Sequence, residues 1–376
     1  MTGAVLYDAI VVGVGGMGSA AVYHLARRGA RALGIEQFDV AHDRGSSHGL
    51  SRIIRLAYWE HPDYVPLVRR AYDLWRDLER TTGEPLLTVT GSLDGGLPDS
   101  PTIRGSLAAC RTHGLTHDLL DAAALRARCP GYRLPDGHVA VLQPDGGFLV
   151  PERCTAAHVT AARALGADVH TRERVAGWSV ARGRVQVKTD RDEYQARRLV
   201  ITAGPWLPAV YPALAQRLTV ERQVVMWTQP LRPELFTPDR FPVFYVDTPR
   251  GGFYGFPADP ALGFKIGKYH HRREQTDPDA VDRTFSAEDE ATLRDGISHY
   301  FPDANGQTTA FSTCLFTNTP DGHFVVDRAP GEAEVVIAGG FSGHGFKFCS
   351  AIGEMVADLA LDEASSRLEL FRIGRL

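Results

Sequence analysis

The sequence predicts an α/β chain in which parallel-sheet segments near both ends bracket a block of antiparallel sheet. Three observations carry this expectation. A β-branched run at residues 8–12 (DAIVV) passes through a glycine-rich turn into a stretch of helical spacing, and a second apolar run follows at 30–35. Strand and helix alternating in this way build parallel sheet. Two more compact apolar runs, 198–203 (RLVITA) and 335–338 (VVIA), also end on glycine, far along the chain. Between them, residues 220–315 are rich in aromatic residues and strand-like runs broken by Pro and Gly, as antiparallel strands are.

In chain order, residues 17–28 have helical spacing with Gly29 placed to end the helix, and the strand 30–35 stops at Glu36. Residues 64–81 predict a long amphipathic helix with Leu67, Ala71, Leu74 and Leu78 on one stripe. Residues 87–150 are rich in turns and carry no clear period. A helix at 152–165, a strand at 168–171, an alternating pair across 177–188 and a C-terminal helix at 346–361 complete the reading. No internal repeat or low-complexity segment is visible.

Composition narrows the class. Of 376 residues, 44% are apolar and 23% charged, as in ordinary globular enzymes, and a formal charge of −4 gives no reason to invoke nucleic acid or an anionic membrane. No apolar run approaches a membrane span, and residues 1–7 lack a basic segment followed by an apolar stretch, so a cytoplasmic enzyme is expected. Five scattered cysteines (Cys110, Cys129, Cys154, Cys314, Cys349), with no C-x-x-C pair, argue against a disulfide framework and against a metal site.

Gly13-Val14-Gly15-Gly16-Met17-Gly18 is G-x-G-x-x-G between a strand and a helix, with the acidic Glu36 at the end of the next strand. In that context the pattern is a dinucleotide fingerprint on a Rossmann-like unit. Gly13 permits the turn, Gly15 lets backbone approach the diphosphate, Gly18 permits close packing, and the anion meets the helix N-terminus. Glu36 suits two ribose hydroxyls and repels a 2′-phosphate, which disfavours NADP. The segment 198–204, ending on Gly204, offers a second strand and turn against the same cofactor. The nucleotide domain is therefore expected to be discontinuous (residues 1–90, 150–219 and 320–376), with 91–149 and 220–319 forming a substrate domain.

Further segments are specific: Gly45-Ser46-Ser47-His48-Gly49-Leu50-Ser51-Arg52-Ile53-Ile54-Arg55, Tyr254-Gly255-Phe256-Pro257, Phe264-Lys265-Ile266-Gly267, and Phe341-Ser342-Gly343-His344-Gly345-Phe346-Lys347-Phe348. With Cys314 and residues 321–327 (DGHFVVD), they resemble the monomeric sarcosine oxidase and N-methyltryptophan oxidase family of FAD-dependent amine oxidases, within the D-amino-acid oxidase superfamily. The resemblance runs from Tyr7 to about Phe371.

It implies FAD bound by Gly13, Gly15, Gly16, Met17, Gly18, Glu36, Ser46, His48, Arg52, Val175, Gly204, Gly343, Gly345, Phe346 and Lys347, and joined to Cys314 through an 8α-thioether. It implies that Arg55 and Lys347 hold a substrate carboxylate and that Tyr245 and Phe316 line the pocket. Lys265 would activate oxygen, Arg52 would lie against the flavin, and Tyr254 and His270 would flank the substrate. Lys265 is unusual without any family, because it interrupts an apolar strand where an unpaired lysine is expensive to bury. Departures occur around the pocket. Phe316 replaces a typical tyrosine, Tyr245 a typical methionine, Ser47 a second histidine, and Lys268 is inserted before Tyr269-His270.

The implied activity is oxidation of the C–N bond of an N-substituted glycine, sarcosine-like or bulkier, to an imine while O2 becomes H2O2. The implied assembly is a monomer. An oxidase of another N-methyl or cyclic secondary amino acid (N-methyltryptophan- or pipecolate-like) is the alternative reading. An NAD-dependent dehydrogenase would need a second nucleotide motif or a catalytic dyad, and would leave Cys314 without a role. A flavoprotein subunit without turnover would have no use for Arg55, Lys265 and Lys347.

Overall fold

A computed structural model of the chain describes residues 5–363 and 368–376; residues 1–4, part of the stretch read above for a targeting signal, lie outside it. The strand Leu6–Val12 pairs in parallel with Ala32–Ile35 on one side and Glu193–Ile201 on the other. Val12 is in register with both Ile35 and Ile201. The Gly13 turn, Glu36 and Thr202 therefore leave the sheet along one edge, at the carboxyl ends of the strands, where open α/β sheets bind ligands. Glu332–Gly339 extends the parallel set beside Glu193–Ile201, and Val325–Ala329 returns antiparallel to it. The helices Gly16–Arg27 and Cys349–Ala360 pack together, with a Gly353 Cβ position only 2.4 Å from Ala20 Cβ.

A second eight-stranded sheet runs in the order Thr308–Asn318, Thr219–Thr228, Gly263–Lys268, Gly251–Asp259, Val243–Thr248, Ser92–Gly96, Val139–Gln143, Asp118–Asp121. Because side chains alternate across a strand, each face takes every second residue. One face supplies Val224, Met226, Phe244, Val246, Phe253, Phe264 and Ile266 to a core shared with Leu293, Ile297 and Phe301. The other face carries the site described below. A small sheet of Arg52–Ile54, Gly147–Leu149 and Leu87–Val89 joins the loop after Ser51 to the rest of the chain.

The ends of the expected elements shift by a few residues, and some assignments change. The turn-rich stretch 87–150 contains a helix, Pro101–His113, begun by Ser100, whose hydroxyl accepts from Ile103 N–H, with Pro101 at the first helical position. Within the region expected as antiparallel sheet lies the helix Ala287–Tyr300, started by a capping box between Ser286 and Asp289. Val243–Thr248 pairs in parallel, not antiparallel, with Ser92–Gly96. The expected helix 346–361 opens as a 3-10 turn, Phe346–Phe348, before Cys349–Ala360.

Candidate active site

The register of the second sheet lines up the site. Asp94 lies opposite Tyr245, Tyr245 opposite Tyr254, Tyr254 opposite Gly267, Gly267 opposite Val225 and Val225 opposite Ser312. Phe256, Lys265 and Trp227 form the next row, and Cys314 and Phe316 follow Ser312 at intervals of two. By alternation these residues all belong to the face away from the aromatic core. A Cβ on Gly267 would stand 2.4 Å from the Tyr254 ring, so only glycine lets that ring lie across its neighbour.

Lys265 is 2% exposed. Its ammonium donates to Gly49 O at 2.6 Å, Ser51 O at 3.1 Å and Ser51 Oγ at 2.9 Å, and it lies 4.5 Å from the ring centre of Phe256 and 5.0 Å from that of Trp227. Burial, then Arg52, draw its pKa well below the ordinary lysine value, while Glu152 acts in the opposite direction. Three acceptors match the three N–H donors of an ammonium, so the geometry favours the cation. Among the described residues no carboxylate pairs with it.

Arg55 and Lys347 both approach one ring. The guanidinium carbon stands 4.8 Å from the centre of Tyr58 and the Lys347 ammonium 5.2 Å from it. Arg55 also donates to Ala57 O, to both Glu60 carboxylate oxygens at 3.0 and 2.9 Å, and lies 3.6 Å from Asp94. Burial opposes the Arg55 charge, but Asp94 and Glu60 outweigh it and hold the group charged. Burial raises the Asp94 carboxyl to about 6, partly offset by Arg55 and by the hydroxyl of Ser106, which donates to it at 2.8 Å. Burial would raise Glu60 too, yet Arg55 keeps it below the usual carboxylate value. Lys347 donates to His344 O at 2.8 Å, and burial followed by Arg55 lowers it to about 7.

Beyond this cluster, Trp59 stacks on Tyr245 at 5.5 Å. Tyr269 donates to Ser342 O at 2.7 Å. His270, with φ +57, places Nδ1 3.0 Å from the buried Glu221 carboxylate and its ring 6.2 Å from Phe316. His48 is buried behind this wall with Nδ1 3.4 Å from Ser312 Oγ, and burial lowers it to about 3. His344 meets the Tyr58 hydroxyl at 2.5 Å and Gly322 O at 2.9 Å, and burial lowers it to about 4. A neutral, doubly bonded imidazole of this kind supports the backbone around it.

Between the two sheets lies a cavity of about 650 Å³ whose wall includes Gly13, Gly15, Gly16, Met17, Glu36, Ser46, Arg52, Val175, Gly204, Phe316, Gly343, Gly345 and Phe346. The fit to a dinucleotide can be tested on this wall. A Cβ on Gly15 would meet only Ser47 Oγ, at 3.9 Å, so the backbone there is open to close approach. The following helix has no side-chain cap at Gly15, and although Gly16 N–H donates to Ser47 Oγ at 3.2 Å, the helix end still favours an anion. Gly13, at φ +88, would press a Cβ to 2.7 Å from Thr202 O, and a Cβ on Gly18 would strike Gly13 O at 1.8 Å. Glu36 accepts from Val14 N–H at 2.8 Å and Phe38 N–H at 3.0 Å, fixing its carboxylate on the cavity wall. These residues fit the group.

All five cysteines are free and buried. Cys314 is not itself part of the cavity wall, but Leu315 and Phe316 are. Cys349 does line it, close to the Gly16 turn. Of the expected site residues, Tyr245, Tyr254, Lys265, Cys314 and Phe316 lie on the sheet face, whereas His48, Arg55, His270 and Lys347 belong neither to that sheet's strands nor to the cavity wall. The sequence reading missed Glu60, Asp94, Glu221 and Glu152. Only Asp94 left a trace, a carboxylate in the otherwise uncharged strand Ser92–Gly96.

Residues 8–359 match the DAO family, described as FAD dependent oxidoreductase. The chain is 42% identical over 362 residues to monomeric sarcosine oxidase of Streptomyces avermitilis, covering 94% of each protein, and 38% identical over 375 residues to that of Bacillus sp. strain B-0618, covering 98% of this chain and 96% of the relative. It is 34% identical over 376 residues to N-methyl-L-tryptophan oxidase of Citrobacter koseri, covering 98% and 99%. Among solved structures, NikD, an amino acid oxidase essential for nikkomycin biosynthesis, superposes with a TM-score of 0.84 at 27% identity over 97% of both chains.

Proposed function

Because this chain belongs to the DAO family of FAD-dependent oxidoreductases, we propose a specific division of labour within it. It is an FAD-dependent oxidase of secondary amino acids that oxidises the C–N bond of an N-substituted glycine to an imine, with O2 reduced to H2O2. FAD, when bound, takes up the two electrons of that oxidation and passes them to oxygen.

The observation that carries this reading is Lys265, a fully buried lysine held by backbone oxygens on the sheet face turned towards the cavity. A cation fixed in a dry site stabilises negative charge as it develops on oxygen. Arg55 and Lys347, both close to the Tyr58 ring, receive the substrate carboxylate. Tyr245 and Phe316, beside Trp59 and Tyr269, shape the space for the N-substituent, and Tyr254 borders it. His270 is paired with Glu221 and orients within the pocket. Arg52, on the cavity wall and donating to Ser46 O and Ser51 O, lies against the cofactor.

Cys314 forms the covalent link in this proposal. Support comes from its position two residues beyond Ser312 on the site face, within electrostatic range of Lys265 and Tyr254. Cys349 sits instead at the Gly16 turn, where the diphosphate is expected. The strands of the two sheets also support the domain division 1–90, 150–219 and 320–376 against 91–149 and 220–319. A cytoplasmic monomer acting on a small amino acid and O2 completes the reading. Among the described residues no helix is long and apolar enough to cross a membrane.

The experiment is a panel of N-alkylglycines and cyclic secondary amino acids assayed for peroxide release. Turnover is expected with one or more N-alkylglycines. Turnover confined to cyclic or N-methyl aromatic amino acids would move the substrate to the alternative class, and NAD reduction without peroxide would overturn the oxidase reading.

A further inference from the structure

Gly49, Leu50 and Ser51 form an unusually tight turn. Ser51 N–H donates back to Gly49 O at 2.8 Å, and the central Leu50 has φ +67. An i→i+2 bond around a residue of positive φ is the strained form of the γ-turn. Leucine adopts such a φ only where its surroundings impose it.

A carboxylate from another element holds the N–H groups of this turn. Glu152 Oε1 accepts from Gly49 N–H at 2.6 Å and from Leu50 N–H at 3.1 Å. Glu152 stands in the first turn of the helix Pro151–Ala164, where the helix end favours an anion and the side chain has a rigid base. The same turn supplies the hydrogen-bond acceptors of Lys265, namely Gly49 O, Ser51 O and Ser51 Oγ. A carboxylate thus grips the N–H side of a strained turn whose carbonyl side grips the ammonium.

We propose that Glu152 is a positioning residue for Lys265, holding the 49–51 turn in the one conformation that presents its oxygens to the lysine. This rests on the oxygen-activating role of Lys265 given above. Glu152 Oε2 is buried and makes no hydrogen bond among the described residues. Its carboxylate also favours the lysine cation, against burial and Arg52. Reach and charge are therefore separable contributions, and reach is the one the geometry makes dominant.

The test uses holoenzyme of the E152D, E152Q and K265M variants. E152D keeps the charge but loses a methylene of reach, whereas E152Q keeps reach and an acceptor oxygen. Stopped-flow absorbance separates flavin reduction by substrate from reoxidation by O2, and amide hydrogen exchange over residues 47–52 reports the turn directly. E152D is expected to reoxidise about tenfold more slowly, with reduction changed less than about threefold, and to exchange the Gly49 and Leu50 amides faster. E152Q is expected to stay near the parent in both readouts. The reverse ranking, an unchanged turn in E152D, or equal slowing of both half-reactions overturns the proposal. If K265M slows reoxidation while E152D does not, Glu152 alone is misassigned. If K265M reoxidises like the parent, the role of Lys265 itself falls and takes this one with it.

Discussion

The Arg55 guanidinium donates to both carboxylate oxygens of Glu60, at 3.0 and 2.9 Å, in a setting where both side chains are nearly excluded from water. Both contacts come from Nη2, while Nη1 donates to Ala57 O and lies 3.6 Å from Asp94, so the cation proposed to receive a substrate carboxylate is already engaged by the protein's own anions. On that proposal, a substrate carboxylate competes with Glu60 for Nη2.

Arg55→Met is expected to raise KM for an amino-acid substrate by about 10- to 100-fold, the worth of a charge-assisted pair. It should also lower Tm, since Glu60 and Asp94 would be left buried without their cation. Arg55→Lys keeps a charge but not the fork, and should recover stability more than KM. Steady-state kinetics with thermal unfolding of both variants checks this. An unchanged KM in Arg55→Met would remove the carboxylate contact.

Lys347 yields a pH prediction. Burial, followed by Arg55, lowers it to about 7, with Glu60 and Asp94 pulling upwards and His344 O accepting a hydrogen bond from it. An arriving substrate carboxylate stabilises the ammonium, so binding takes up protons where free Lys347 is partly neutral. Affinity for a carboxylate inhibitor should therefore weaken as pH rises through about 7, while the acid side also carries the titration of Asp94, raised to about 6. Titration calorimetry in buffers of different ionisation enthalpy measures the uptake. Lys347→Met should abolish it, and uptake surviving that change would assign the proton to another group.

How much of this was legible before the fold was known depends on range. The glycine turn, Glu36 and Lys265 announce themselves locally, by a pattern next to a strand or a charge inside an apolar run. The second sheet's face was not legible, because it is made by cross-strand register that joins Asp94 to Tyr245 across about 150 residues of sequence. The anions opposite Arg55 and His270 escaped for the same reason, since Glu221 and Asp94 have no periodic signature. The helices Pro101–His113 and Ala287–Tyr300 are a different case. Ser100-Pro101 and Ser286–Asp289 are cap signals written in the sequence, masked by turn-rich composition around the first and strand composition around the second.

Cys314 makes the next prediction. If the thioether forms there, acid precipitation of the purified protein leaves yellow colour in the pellet, and Cys314→Ala releases it to the supernatant. Cys349→Ala should keep the colour bound, because that thiol lies by the Gly16 turn. Free FAD recovered from the parent protein would end the covalent reading while leaving the cofactor assignment intact.

Asp289 ties stability to the site. Burial would raise its pKa, but Arg222, donating at 3.0 and 2.9 Å, Ser286 N–H and His271 at 2.8 Å hold it well below the usual carboxylate range. A depressed folded pKa means the contribution is complete above the unfolded value of about 4 and is lost as pH falls below it. His271 follows His270 directly, so this buried network anchors the segment that carries Tyr269 and His270 into the pocket. Asp289→Asn leaves Arg222 and His271 facing a neutral amide, and should cost about 3–5 kcal/mol at neutral pH, with the deficit shrinking towards acid. Urea unfolding at two pH values, read with KM and kcat, separates the effects. A variant with parent stability at neutral pH, or a deficit that grows in acid, would contradict the network as drawn.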